Sequence, residues 1–256
     1  MAVSAAFALA AAGCSLPPRA PPSAPSPAPR ASTAPSPPFA AVDDAQADRL
    51  GIDPAQSELR LLVFRAGTLA RLGHDHVIES HALSGWIDPR AVGARQLVDL
   101  VIPVDTLEID PDAARAEEGP AFAEPITAEA KAGTRHNMLG EALLDAAHFP
   151  RIEVRGLAAD AAESTTAPSD GTPRAATVPA TVAATLAVAV AGHESRQTVE
   201  LNIARDADRL TLSADFSLRQ TALGLAPFSV MMGALQVKDE MRVHVHLVAL
   251  RIHSSD

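Results

Sequence analysis

The sequence predicts an all-β protein, an antiparallel eight-stranded β-barrel with one short helix. Three observations lead there. Apolar residues recur with a period of two over most of the chain, a single segment has helical spacing, and 256 residues with 47% hydrophobic and 20% charged content suffice for one sizeable core. A formal charge of −10 excludes the basic face that a nucleic-acid binder needs.

The chain opens with an apolar stretch ending in Ala11-Ala12-Gly13-Cys14. This resembles the lipobox of bacterial lipoproteins, and the resemblance implies a leader over residues 1–14 with Cys14 as the lipidated residue. No Lys or Arg precedes the apolar run, which a start site upstream of Met1 would explain. Residues 15–41 form the expected tether: 15–38 contain ten of the chain's 21 prolines among Ala and Ser, a composition that buries nothing and stays extended. No run reaches the roughly 18 to 20 apolar residues of a membrane-spanning helix.

The barrel domain is expected over residues 42–256. Strands are expected at 57–65, 76–88, 96–104, 151–157, 178–191 and 198–205. Arg209 to Arg219 alternates without a break, and Glu240 to Leu250 does the same with His244 and His246 on its outer face. Between the third and fourth strands, Met138, Leu139, Ala142, Leu143 and Ala146 fall at helical spacing, so 134–147 is expected to be a helix that Pro150 keeps from continuing. Residues 158–177, rich in Ala, Ser, Thr and Pro, read as a flexible inserted loop. Local connections between long alternating strands favour a closed barrel, because closure removes free edges; a two-sheet sandwich is the competing arrangement.

An eight-stranded barrel either fills with its own side chains or holds one small ligand. With no Tyr, one Trp and seven Phe, the inward faces are mostly Leu, Val and Ala, which leaves room for an elongated apolar guest. The inward positions are Leu210, Leu212, Phe216 and Leu218 on one strand, and Met241, Val243, Val245 and Leu247 on the last. Val199, Leu201 and Ile203 add a third set. Phe228, Met231 and Met232 sit in a glycine-punctuated apolar connection and are expected to form an adaptable lip at one barrel end.

The order of elements resembles the YceI-like family of bacterial periplasmic proteins. The resemblance rests on Glu58 to Phe64 with Gly67, and on Leu83-Ser84-Gly85-Trp86-Ile87-Asp88. It rests also on Asp145 with His148-Phe149-Pro150, and on Asp215-Phe216-Ser217-Leu218, Leu223-Gly224-Leu225 and Val237 to Met241. Asn137-Met138 stands where the family often has His-Leu. The resemblance implies a lipocalin-like barrel that binds a polyisoprenoid chain without covalent attachment, and no catalytic residues. Together with the lipoprotein-like start it implies a periplasmic protein, tethered to the outer membrane by its acyl anchor, with room for a homodimer.

Other chemistries find less support. No cofactor is expected. His74 and His76 could hold a metal or haem, but His81 has the opposite parity and points to the other strand face; the same turn reads also as imidazoles and Asp75 bonded to loop backbone, or as a lining of the barrel mouth against a polar headgroup. The acidic residues from Asp105 to Glu129 lack the alternation and glycine of a calcium loop and read as a solvated loop. No nucleophile elbow, phosphate loop or nucleotide fingerprint occurs, so a binder is expected rather than an enzyme. A dry structural or stress-related envelope barrel is the remaining alternative.

Overall fold

The computed structural model describes residues 49–90, 96–158, 180–206 and 208–251. Twelve strands form one sheet: β1 (Leu50–Ile52), β2 (Glu58–Ala66), β3 (His76–Ser80), β4 (Ser84–Ile87), β5 (Gln96–Pro103), β6 (Glu108–Ile109), β7 (Arg151–Ala158), β8 (Ala180–Val190), β9 (His193–Asp206), β10 (Arg209–Arg219), β11 (Ser229–Val230) and β12 (Leu235–Arg251). The sheet closes on itself, because β1 pairs with both β4 and β12 and so completes the ring β1-β4-β5-β7-β8-β9-β10-β12. The strand β1 leads through a turn at Pro54–Gln56 into β2, which pairs with the earlier part of β12. In the same way β3 leads into β4, so the wall has eight antiparallel staves, as expected from the alternation.

Alternation fixes which residues face inward, and register fixes their height. Leu218, Met241, Val63 and His76 are successive cross-strand partners and form one layer. Phe216, Val243, Leu61 and Ile78 form the next. Further down, Leu212 meets Leu247 and Leu210 meets Ala249, and this end is densely filled together with Leu50 and Ile87. Close packing of β4 on β5 depends on Gly85, where an added Cβ would stand 1.9 Å from the Asp99 carbonyl oxygen.

Two expectations are corrected. The helix α2 spans Ala128–Leu139, not 134–147, because Thr127 caps it by accepting from Ala130 N–H at 3.2 Å and Gly140 leaves helical geometry. Leu143 and Leu144 follow in a turn. The acidic stretch is not simply a solvated loop: β6 pairs with β3 and puts Ile109 into the main core, while a short helix α1 (Asp112–Glu117) and Phe122 pack on the outer wall. There Ala114 and Phe122 bury Leu62 and Val77, the outward residues of β2 and β3, in a second small core. Beside it Arg60 meets Glu58, Glu79, Glu117 and Glu118 at 2.8–3.0 Å.

The leader with Cys14, the tether and the bulk of the inserted loop lie outside the described residues. Among the described residues no helix is long and apolar enough to cross a membrane.

Candidate functional site: the barrel cavity

The interior between the filled end and the loops opposite encloses a cavity of about 570 Å³, within the range of small-molecule sites. Its walls come from both upper layers: Leu218, Met241 and Val63 with His76, then Phe216, Val243, Leu61 and Ile78. Leu100, Ile102, Val154 and Val188 complete the far wall. The helix α2 and the turn after it contribute Asn137, Met138, Leu143 and Leu144, while Leu225 to Ser229 cross one end. Side chains on this surface are overwhelmingly aliphatic, so an apolar guest exchanges water for hydrocarbon at roughly 25 cal/mol per Å² buried.

The polar groups in the wall are few and individually placed. His76 Nδ1 lies 2.6 Å from Oδ2 of Asp110, a carboxylate with no exposed surface. A carboxylate only accepts, so Nδ1 donates and Nε2 is left with its lone pair in the neutral ring. Asp110 also accepts from Val77 N–H at 2.9 Å and from Arg115 at 2.7 Å. Burial pushes its acidity the other way, but the bonds from His76, Val77 and Arg115 hold the carboxyl below the usual range. On the opposite wall, β9 and β10 pair only from Arg209–Asp206 to Ser213–Asn202. Beyond that pairing, Gln197 lines the cavity with its Nε2 buried and without a hydrogen-bond partner among the described residues. Alternation alone could not flag Gln197, since it occupies an inward position with a polar side chain.

The sequence-derived interior residues divide by height. Phe216, Leu218, Met241, Val243 and Val245 line the cavity, and so does Phe228 from the connection. Leu210, Leu212, Leu247, Val199, Leu201 and Ile203 face inward but pack in the filled core without touching it. Met231 and Met232 do not line the cavity either; both are exposed, and they hold positive φ values of 53° and 56°. Residues that sequence reasoning missed include Leu61, Val63 and the α2 turn, while His76 lines the cavity as one of its sequence readings allowed.

The histidines separate as well. His74 and His76 rings stand 6.4 Å apart, but His76 Nδ1 is committed to Asp110 and His74 Nδ1 is buried without a hydrogen bond. His81 turns to the outer wall, its Nδ1 3.0 Å from the Ser57 carbonyl. Among the described residues, the three potential ligands whose donor atoms come within 4.8 Å of one another are Glu58, Glu79 and His81. Arg60 already bridges both of those carboxylates.

No family model matches the chain, and no curated protein sequence does. Solved structures do. BcnA from Burkholderia cenocepacia matches with 14% identity and a TM-score of 0.51, over 77% of this chain and 99% of that one. A polyisoprenoid binding domain from Saccharophagus degradans, implicated in plant cell wall breakdown, matches with 15% identity and a TM-score of 0.52, over 80% and 99%. At these identities the likeness is one of fold, and the chain is a closed eight-stranded antiparallel barrel of the same architecture as those two proteins.

Proposed function

We propose that the barrel sequesters or carries a polyisoprenoid or similar apolar chain, held without covalent bonds in the cavity. The observation that carries this reading is the cavity itself, about 570 Å³ of space walled by Leu, Ile, Val, Met and Phe. A dry barrel would fill that volume with side chains, as the other end of this barrel does. The fold shared with a polyisoprenoid binding domain from Saccharophagus degradans adds support. Metal or haem ligation by His74 and His76 has less, because among the described residues no third potential ligand converges with them; the one such group is Glu58, Glu79 and His81.

The reading extends to place. A lipidated Cys14 with a proline-rich tether would hold the barrel against the periplasmic face of an envelope membrane, in the outer membrane by preference. Cys14→Ser is then expected to release the protein from the membrane fraction, and continued sedimentation with membranes would remove the anchor from this account.

Native mass spectrometry of the full chain purified from its own envelope, with organic extraction, tests the ligand. A co-purifying isoprenoid of several hundred daltons is expected. A bare protein, or one carrying only a metal ion, would overturn the carrier reading.

A further inference from the structure

The cavity-lining segment Ala226 to Ser229 continues into an outward-facing apolar cluster. Leu72, Phe228, Val230, Met231 and Met232 are all exposed, and among the described residues Leu157 is the only other large hydrophobic that is. Two loops hold the cluster together. Leu69 N–H donates to the Ala234 carbonyl at 2.7 Å, and Gly67 passes so near that a Cβ there would stand 2.4 Å from the same oxygen. Val230 pairs with Leu235, the residue whose side chain reaches Gly73.

Two features set this end apart from an ordinary surface. Met231 and Met232 hold left-handed backbone, which costs unbranched residues of the order of 1 kcal/mol each, yet neither side chain gains burial in return. Charge is the second. In a chain of net charge −10, residues 66–74 and 225–237 contain no Asp or Glu at all, and Arg71 is their one fixed charge.

We propose that this end of the barrel docks on the surface of a lipid bilayer, with Leu72, Met231 and Met232 entering the headgroup region and Arg71 meeting anionic headgroups. Thioether side chains adapt to an irregular apolar surface, and loops with no carboxylate of their own, the nearest being Glu124 beside His74 and Asp75 beside Arg65, weaken the repulsion between an otherwise acidic protein and anionic lipid. A second copy is the less suited occupant, because two such tips meeting face to face would offer Arg71 no anion, which an anionic headgroup supplies. The bilayer would thereby meet the protein where Phe228 is both exposed and part of the cavity wall. In its consequence for ligand loading, this inference rests on the cavity being a lipid site; the docking itself does not.

Flotation of the full chain carrying Cys14→Ser, so that no acyl anchor contributes, with vesicles of phosphatidylethanolamine and phosphatidylglycerol tests it. The protein is expected to float, and the Met231→Asp, Met232→Asp double variant to partition about tenfold or more weakly. Leu157→Asp, a charge placed on an exposed leucine outside the cluster, is expected to float like the parent. Circular dichroism and thermal unfolding establish that each variant is folded. A parent that stays behind overturns the docking surface, and so does a double variant that floats as well as the parent. Dimerisation abolished by the methionine changes, with no flotation, would replace the bilayer with a second copy. A parent that floats but never carries an apolar ligand would overturn the carrier reading and leave the docking surface standing.

Discussion

His76 in the cavity wall donates an Nδ1–H hydrogen bond to Asp110, the fully buried carboxylate that follows β6 alongside β3. Cavity lining and outer layer are thus joined at Asp110, which accepts from His76 of the lining and from Arg115 of α1. Arg115, itself nearly fully buried, completes the link from α1.

Asp110→Asn keeps the side-chain shape and tolerates the positive φ of 54° at this position, so its effect reports on charge. Leaving Arg115 buried without its anion is expected to cost about 3 kcal/mol at neutral pH, read by urea unfolding. The wild-type pH profile should carry the same signature. A carboxyl whose folded-state pKa lies below its ordinary 3.8 contributes stability above that value and loses it as pH falls through the depressed one. The acid limb of stability should therefore be shallower in Asp110→Asn.

Val243 and Leu210 face the same interior at different heights. Val243→Phe adds volume where the cavity has space, so it should cost less than about 1 kcal/mol while reducing the amount of apolar ligand retained through purification. Leu210→Phe adds it where the core is full and no surface is exposed, at an expected 1–3 kcal/mol with ligand retention unchanged in the folded fraction. Equal costs at the two sites would show the cavity to be filled in solution.

Gln197 carries a buried donor without a partner. Gln197→Met removes that group at similar volume, and the ligand-stripped protein should gain about 1 kcal/mol or more of stability in thermal or urea unfolding. No gain would mean that water satisfies the amide.

Gly85→Ala should be among the most damaging single changes. The φ of 138° excludes a side chain, and the new Cβ would collide with the Asp99 carbonyl. A loss above about 3 kcal/mol, or failure to accumulate folded protein, is expected, whereas Gly133→Ala on α2, with open space around it, should be neutral or slightly stabilising.

The barrel was legible in the sequence because a half-buried strand writes its orientation residue by residue. β10 was readable end to end, and β12 over Glu240 to Leu250 of its Leu235–Arg251 span. Height along the barrel was not, since Leu212 and Phe216 share a face and differ only in what the other strands place beside them. The helix α2 misled because its apolar residues continue past Leu139 into a turn, while its true start depends on the Thr127 cap. The outer layer escaped notice for a different reason. Its burial is achieved by paired charges, Asp110 with Arg115 and Glu79 with Arg60, which sequence alone presents as solvent-exposed.

The strand β12 pairs with β1, β2, β10 and β11, and Arg251 near its end meets Leu50. In time, this means that no barrel exists until the final strand has left the ribosome. At 5–20 residues per second, the stretch from the end of β2 at Ala66 to the end of β12 at Arg251 takes roughly 9 to 37 s, during which the first strands stand as an open apolar edge with their principal partner unmade. Such a chain closes its barrel after synthesis rather than during it, with long-range closure as the slow step.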